Sequence, residues 1–324
     1  MLTLKLKKAA ENNAELIAMR PLPKETLKSL RAFYRVGLTY SSNAIEGNSL
    51  TETETKVVIE DGLTVGGKPL RDVYEALGHA KAYDKIHSLA KHKTLEESDI
   101  LNLHKLFYQL IDKENAGKYR TVPVFISGSH YALTPPQKIP AEMKKFVEWF
   151  NKNEPKMNPV EFAAKAHQKF VFIHPFVDGN GRVARLIMNL ALLRGEYTVA
   201  IIPAIRRMEY VAALETAHKD IAPFVDFIAD CVVSTQEDLL RLLKNSGGVN
   251  LQNGGVNNKL SGGVNLQEKV LQEIKKNGGL NAPSLASRLS LSLRSAQRYL
   301  KQLTEQGKIE FRGAPKNGGY FALK

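Results

Sequence analysis

The residues from His174 to Arg185 read His-Pro-Phe-Val-Asp-Gly-Asn-Gly-Arg-Val-Ala-Arg. Residues 158–173, which precede them, place apolar side chains at helical spacing, and Pro175 cannot continue that helix. His174 is therefore predicted at a helix end. The four residues 178–181 predict a turn that tolerates positive φ, and helical spacing resumes at Arg182. This stretch predicts a helix, a glycine-containing loop and a second helix, around which the rest of the chain is organised.

The side chains of the same stretch suit a polyphosphate. A loop that opens a helix directs backbone N–H groups and the positive end of the helix dipole at one point, which makes an anion site. Arg182 and Arg185 fall on one face near the helix start, where guanidinium groups can hold phosphate oxygens bidentately. Asp178 in the loop can hold Mg²⁺, which accepts one carboxylate together with phosphate oxygens.

The stretch resembles the signature of Fic-domain proteins, which transfer AMP from ATP to a hydroxyl side chain of a target protein. All eight signature positions are present: His, Pro, Phe, Gly, Asn, Gly, Arg and the last Arg. The related Doc-type kinases carry lysine at the position of Gly181, so the resemblance favours nucleotidyl transfer.

The resemblance implies a role for each polar residue. His174 would be the general base that deprotonates the target hydroxyl. Arg182 would bind the β phosphate and Arg185 the γ phosphate, while Asn180 and the loop amides would hold the α and β phosphates. ATP and Mg²⁺ are the implied cofactors, with Asp178 on the metal. The implied ATP-binding residues of the motif are Asp178, Gly179, Asn180, Gly181, Arg182 and Arg185.

A second motif lies upstream. Residues 23–40 have helical spacing and run toward Ser42-Asn43-Ala44-Ile45-Glu46-Gly47, with Gly47 as a candidate helix C-cap. Glu46 at the negative helix end is unfavourable by about 0.3 to 1 kcal/mol unless a cation faces it. A solvated helix end is the plainer interpretation. However, Ser42 and Glu46 resemble the inhibitory motif of Fic proteins whose inhibitory helix precedes the signature, and its glutamate pairs with the last arginine.

Residues 117–134 replace helical spacing with β-branched and aromatic residues, followed by a Ser-Gly-Ser turn. They predict a β-hairpin in which 122–126 pairs with about 131–134. In the resembling family this hairpin is a flap that aligns the target segment by main-chain pairing. A simple edge hairpin is the alternative. The candidate target-binding residues are Ile126, Ser127, Gly128, Ser129 and His130.

Amphipathic spacing predicts further scaffold helices at 51–61, 71–90, 96–111, 139–151, 207–219 and 221–243. Tyr210, Leu214 and His218 share one face of their helix. By analogy with the family this face lines the adenine pocket, and core packing is an equal alternative.

Composition limits the class of protein. The chain has 324 residues, of which 43% are hydrophobic, and a single cysteine, Cys231. The absence of a membrane-length apolar run, a signal peptide and a cysteine pair predicts a cytoplasmic protein. The net charge of +13 is uneven, because residues 266–324 hold eleven Lys and Arg against four Glu.

Residues 246–265 contain Gly-Gly-Val-Asn three times and predict a flexible linker. Beyond it, helices at 268–276, 282–289 and 293–306 and strands at 309–312 and 320–323 resemble a winged helix-turn-helix module. Such a module contacts DNA through its third helix, and a protein-binding or dimerising module is the alternative. The outward side chains of that helix are predicted to be Arg294, Gln297, Arg298 and Lys301.

These patterns predict a mainly α fold: a Fic-type helical core with a β-hairpin flap at 1–245, the linker, and a small winged helix-turn-helix domain at 266–324. The predicted function is protein adenylyltransfer to a Ser, Thr or Tyr hydroxyl, held low by Glu46. Candidate partners are a target protein, the chain itself, a second copy as a homodimer, and DNA. One alternative is a hydrolase that uses Glu46 to remove AMP. The other is a DNA-binding regulator whose core senses nucleotide.

Overall fold

The computed structural model describes residues 2–126, 128–129, 131–246, 266–289, 293–313 and 318–323. The chain divides into two compact units, Met1–Val249 and Asn250–Lys324. Their described parts are mostly helical, and within those parts strands occur only in the second unit. The mainly α fold class is confirmed.

Helices build the first unit. In chain order they are α1 (Leu2–Ala18), α2 (Lys24–Ile45), α3 (Glu52–Lys56), α4 (Leu70–Leu89), α5 (Glu97–Tyr108), α6 (Ile139–Asn153), α7 (Pro159–Ile173), α8 (Asn180–Arg194), α9 (Arg207–Thr216) and α10 (Ala222–Ser246). A π-helical turn, Val57–Asp61, extends α3. Each predicted helix is present with shifted ends, and α2 continues past Tyr40 to Ile45.

Helix α8 lies at the centre of the first unit. Its side chains Val183, Leu186, Ile187 and Leu190 are all fully buried. The apolar stripe of α7 packs against it, and α2, α4 and α5 contact it as well. Each large apolar side chain buried in this way contributes roughly 1.5 to 3 kcal/mol. The start of α8, with its two arginines, is therefore fixed inside the protein rather than on its surface.

Helix α1 is not among the predicted helices. It packs against α10 through Ala9 and Leu16, and Lys5 forms an ion pair with Asp226 at 2.8 Å. Its polar residues Asn12 and Asn13 are buried, with 4% and 7% of their surface exposed. Because polar side chains occupy part of the buried face, the apolar spacing that indicates a helix is interrupted in the sequence.

The predicted pairing of 122–126 with 131–134 is wrong for the described residues, which contain no strand between α5 and α6. The carbonyl groups of Val122 and Thr134 both accept hydrogen bonds from the Arg120 guanidinium, at 3.0 and 2.5 Å. Pro123 also has no N–H to donate to a ladder. A side chain therefore joins the two limbs where strand pairing was expected. We call residues 121–135 the flap segment.

The second unit contains α11 (Leu266–Lys276), α12 (Ala282–Arg288), α13 (Leu293–Glu305), β1 (Ile309–Arg312) and β2 (Gly319–Ala322). The two strands pair antiparallel, with Ile309 opposite Ala322. Val270, Leu285 and Leu300 form a separate small core with the neighbouring apolar side chains. This unit has the predicted order of three helices and a two-stranded wing.

The predicted linker lies outside the described residues except for Ser246, which ends α10. Within the described ranges, every helix is too short or too polar to cross a membrane.

Candidate active site

The signature stretch folds as a tight connection between α7 and α8. His174 ends α7 in the left-handed conformation, with φ 53° and ψ 59°. Gly179, with φ 79°, precedes the first residue of α8. A Cβ on Gly179 would lie 2.7 Å from the Phe107 ring, so only glycine fits there. Both the predicted helix end at His174 and the loop before α8 are present.

The side chain of Asn180 closes this loop. Its Oδ1 accepts from the Phe176 N–H and its Nδ2 donates to the Phe176 carbonyl, each at 2.9 Å. Asn180 is 1% exposed. Because both ends of its amide are engaged, the side chain shapes the loop, and the backbone N–H groups at the start of α8 are left to meet an anion.

The imidazole of His174 faces a cavity of about 410 Å³. Its Nδ1 lies 3.2 Å from the Val171 carbonyl, which fixes Nδ1 as the protonated nitrogen and leaves Nε2 as an acceptor. Burial lowers the pKa of His174 to about 4, and the Arg120 charge acts in the same direction. The imidazole is therefore neutral at physiological pH and able to accept a proton.

Arg182 lies in a buried charge cluster at the start of α8. Its Nη1 is 2.8 Å from Glu75 of α4, and its Nη2 is 3.3 Å from Asp178. Both Arg182 and Glu75 are almost fully buried, and the guanidinium lies over the Phe107 ring at 4.3 Å. Arg71 donates to the other oxygen of Asp178 at 2.7 Å. The two arginines thus hold the Asp178 carboxylate at the mouth of the loop.

Arg185 is held by the inhibitory helix candidate, α2. Its Nε donates to the Ser42 hydroxyl at 2.9 Å, and its Nη2 donates to the Ser42 carbonyl at 2.8 Å and to Glu46 at 2.7 Å. Its Nη1 donates to the Tyr210 hydroxyl at 3.3 Å. Every guanidinium nitrogen of this arginine, which is 2% exposed, is therefore engaged.

The Glu46 carboxylate occupies the start of α8. A Cβ on Gly181 would lie 2.5 Å from its Oε1, so the carboxylate rests against the first turn of that helix. Burial raises the pKa of Glu46, but Arg185 and Arg182 outweigh burial and hold it below its usual range. Arg207 also donates to the Ile45 carbonyl at 2.6 Å. The C-terminal end of α2, which carries the negative end of the helix dipole, is thus contacted by the guanidinium groups of Arg185 and Arg207. Their positive charges offset the unfavourable position of Glu46 at that end.

Some of the residues that were predicted for the adenine pocket and for the flap lie on the wall of the same cavity. Tyr210 is a buried part of the cavity wall. Its hydroxyl forms hydrogen bonds with His167 at 2.9 Å and with Arg185 at 3.3 Å. The His218 ring stacks between Tyr131 and Phe172, with centroids 3.7 Å from each. Ser127 and His130 lie outside the described residues. The predicted residues on the cavity wall are Tyr210, Leu214, His218, Ile126 and Ser129.

Comparisons with known proteins agree with this geometry. Residues 94–192 match the Fic/DOC family, and residues 265–310 match a winged helix-turn-helix DNA-binding family. The chain superimposes on Fic-1 of C. elegans (residues 134–508) with a TM-score of 0.70 and 30% identity, covering 76% of this chain and 73% of that one. This chain belongs to the Fic/DOC family. A Fic family protein from Desulfovibrio desulfuricans superimposes over 98% and 96% of the two chains, with 25% identity and a TM-score of 0.63.

Curated Fic relatives carry the name protein adenylyltransferase Fic. The one from Nematostella vectensis is 37% identical over 200 residues, which is 60% of this chain and 46% of the relative. The one from Drosophila grimshawi is 39% identical over 199 residues, which is 60% of this chain and 41% of the relative. This Fic chain therefore spans less than half the length of these relatives.

The donor set at the Fic loop fits Mg²⁺ only together with phosphate. Among the described residues, no group of three or more metal-binding side chains comes together. Asp178 supplies a single carboxylate, and its side chain is 40% exposed at the cavity mouth. Magnesium typically takes one or two carboxylates together with substrate phosphates and water. The residues present fit that mode of binding.

Several contributors to the Fic site carry no signal in the sequence. Arg120 was part of the predicted hairpin region with no role, and Glu75 and Arg71 were on a scaffold helix. Each acts through a contact with a residue far away in the chain, so spacing in the sequence carries no signal for it. In the winged-helix unit, Gln297 and Lys301 are exposed as predicted, while the side chains of Arg294 and Arg298 lie outside the description.

Proposed function

We propose that this chain transfers AMP from ATP to a Ser, Thr or Tyr hydroxyl of a protein, including its own. The observation that carries the proposal is the free Nε2 of a neutral His174 beside the first turn of α8 and two buried arginines. The names of the curated relatives support it. We further propose a cytoplasmic location and a homodimer as predicted from the sequence.

In this reaction the target hydroxyl oxygen attacks the α phosphorus of ATP. The new bond joins that oxygen to phosphorus, and the bond from the α phosphorus to the bridging oxygen of pyrophosphate breaks. His174 Nε2 accepts the hydroxyl proton, and pyrophosphate leaves with the electron pair. The N-terminus of α8, Arg182 and Arg185 hold the phosphates in line. Mg²⁺ on Asp178 would neutralise phosphate charge.

The direct test is mass spectrometry. The Glu46→Gly variant, incubated with ATP, Mg²⁺ and cell lysate, should produce proteins that carry a 5′-AMP adduct on a hydroxyl side chain. The His174→Ala variant incubated in the same way is the control. Adducts at equal levels in both samples, or a phosphoryl group in place of AMP, would contradict the proposal.

Asp178→Ala should lower the transfer rate roughly a hundredfold, since a bound metal contributes several kcal/mol of charge stabilisation. Raising the Mg²⁺ concentration should recover part of the rate, because the phosphates still bind the ion. Asp61→Ala is the control, because it removes an exposed aspartate at the end of the π-helical turn. It should change neither the transfer rate nor its dependence on Mg²⁺ concentration. A residual rate that is insensitive to Mg²⁺ would show that Asp178 does not serve the metal.

We also propose that the winged-helix unit binds DNA. Removing Leu266–Lys324 should leave AMP transfer by the first unit intact, because each unit has its own core. DNA affinity measured by fluorescence anisotropy should disappear with the deletion. In the full chain, the logarithm of the DNA association constant should fall linearly with the logarithm of the salt concentration, with a slope of about −0.9 for each phosphate contacted. Salt-independent binding would contradict the proposal.

A further inference from the structure

A buried arginine lies directly behind the catalytic base. Arg120 is 3% exposed. Its guanidinium donates to three main-chain carbonyl groups: His174 at 2.8 Å, Val122 at 3.0 Å and Thr134 at 2.5 Å. Its own backbone N–H donates to the Pro175 carbonyl at 2.9 Å. One residue thus contacts the backbone on both sides of the His174–Pro175 bond and both limbs of the flap segment.

The contacts of Arg120 differ from an ordinary ion pair. No carboxylate of the described residues lies within ion-pair distance of it, in contrast to Arg182 and Arg185. A buried guanidinium is costly unless its donors are satisfied, and here backbone carbonyls satisfy them. The planar donor group fixes the relative positions of the segments that it bridges. Its geometry is therefore that of a crosslink between chain segments.

The first end of this crosslink is the base itself. His174 has φ 53°, a left-handed conformation that is unfavourable for a residue other than glycine. Arg120 holds the two peptide groups that follow the His174 side chain, through the carbonyls of His174 and Pro175. These contacts maintain the conformation that directs the imidazole into the cavity.

The second end is the flap segment. Its limbs have no strand pairing in the described residues, and the carbonyls of Val122 and Thr134 meet at the guanidinium instead. The stretch between those limbs supplies Val124, Phe125 and Ile126 to the cavity wall. A single side chain therefore joins both limbs of the flap segment to the backbone of His174.

We propose that Arg120 is a positioning residue that couples the flap segment to the orientation of His174, so that a target segment seated on the flap aligns the base. The proposal rests on the proposed function in taking His174 as the base. The coupling itself is a property of the chain without target or nucleotide, and it can be measured in that state.

The charge of Arg120 gives a second readout. Burial lowers the pKa of His174, and Arg120 lowers it further, while the hydrogen bond to Val171, Glu46 and Asp178 oppose them. Removing the Arg120 charge should raise the pKa of His174 toward 6.5. Keeping the charge while losing the planar group should leave that pKa low. The two substitutions separate the geometric role from the electrostatic one.

The experiment compares Arg120→Lys, Arg120→Gln and the exposed control Arg31→Gln in the full chain. Hydrogen exchange of the hydrogen-bonded flap amides, those of Ser129 and Tyr131, should accelerate about tenfold or more in both Arg120 variants, because the bonds from the guanidinium that hold the two limbs are lost. NMR titration should find the His174 pKa raised only in Arg120→Gln. The control should match the wild type in both measurements.

Unchanged exchange of the flap amides in both Arg120 variants would overturn the crosslink. Faster exchange with an unaltered His174 ring, in both its pKa and its ¹⁵N shifts, would overturn the coupling. If Arg120→Gln does not fold, Arg120→Lys decides the matter through exchange and ring shifts. A failure of the Glu46→Gly variant to transfer AMP would refute the proposed function, whereas the exchange and titration results for Arg120 would remain valid.

Discussion

Glu46→Gly should raise the rate of AMP transfer, including self-modification, by about a hundredfold. The Glu46 carboxylate lies on the first turn of α8 and pairs with Arg185 at 2.7 Å. It therefore occupies the point where a helix N-terminus and a guanidinium would otherwise receive a phosphate. ATP bound beside it would have displaced phosphates, and a misplacement of about 1 Å can cost on the order of a hundredfold in rate.

The measurement compares the wild type, Glu46→Gly, Arg185→Ala and the double variant. Arg185→Ala should not mimic Glu46→Gly, because it removes the phosphate-binding guanidinium together with the inhibitory contact. Glu196→Gly is a matched control, since Glu196 is an exposed glutamate just beyond the end of α8 with φ 63°. It should transfer at the wild-type rate.

An unchanged or lower rate for Glu46→Gly would remove the inhibitory helix from the proposal. It would favour the hydrolytic alternative, in which Glu46 orients water toward an AMP-protein bond. That alternative is decided by presenting an AMP-modified acceptor to the wild type. Loss of the label that depends on Glu46 would support hydrolysis, and a stable label would exclude it.

His174→Ala should lower the transfer rate by a factor between about 10² and 10⁴, the usual contribution of a general base. ATP affinity should stay near the wild-type value, because the imidazole accepts a proton from the target hydroxyl and the phosphates bind elsewhere. His174→Asn is the sharper variant, since asparagine tolerates the left-handed conformation better than most residues. It removes the base while preserving the backbone.

His92→Ala, at an exposed histidine, is the matched control and should transfer AMP at the wild-type rate. Activity within about threefold of the wild type in both His174 variants would refute the assignment of the base. The pH dependence gives an independent check. Because the pKa of His174 is lowered to about 4, the base should remain neutral as pH falls through 6.5, where an ordinary histidine would be protonated.

The site could be predicted from the sequence wherever its geometry is local. His174, the turn and the start of α8 follow from a proline, two glycines and helical spacing within twelve residues. The contact between Glu46 and Arg185 joins residues 139 positions apart, and only resemblance to a family pointed to it. Spacing along the chain cannot encode a contact of that kind, because packing of α2 against α8 creates it.

The wrong strand pairing and the unforeseen contacts of Tyr210 have the same physical origin. β-Branched residues at 122–126 favour a strand, but a strand needs a partner, and Arg120 takes the carbonyls that a partner would use. Tyr210 lies on the cavity wall, as its spacing predicts, but its hydroxyl also contacts His167 and Arg185 in the interior, which the spacing does not indicate. In both cases a polar side chain inside the protein decides the structure, and local propensity does not register it.

The four contacts of Arg185 have a consequence for how activation would leave the site. Three of them, to the hydroxyl and carbonyl of Ser42 and to the Tyr210 hydroxyl, do not involve Glu46. Departure of the Glu46 carboxylate therefore removes one hydrogen bond and leaves the guanidinium anchored to α2 and α9. Under the proposed inhibition, activation exposes a phosphate-binding group that already stands in its final place, so no part of the arginine's own site has to be rebuilt.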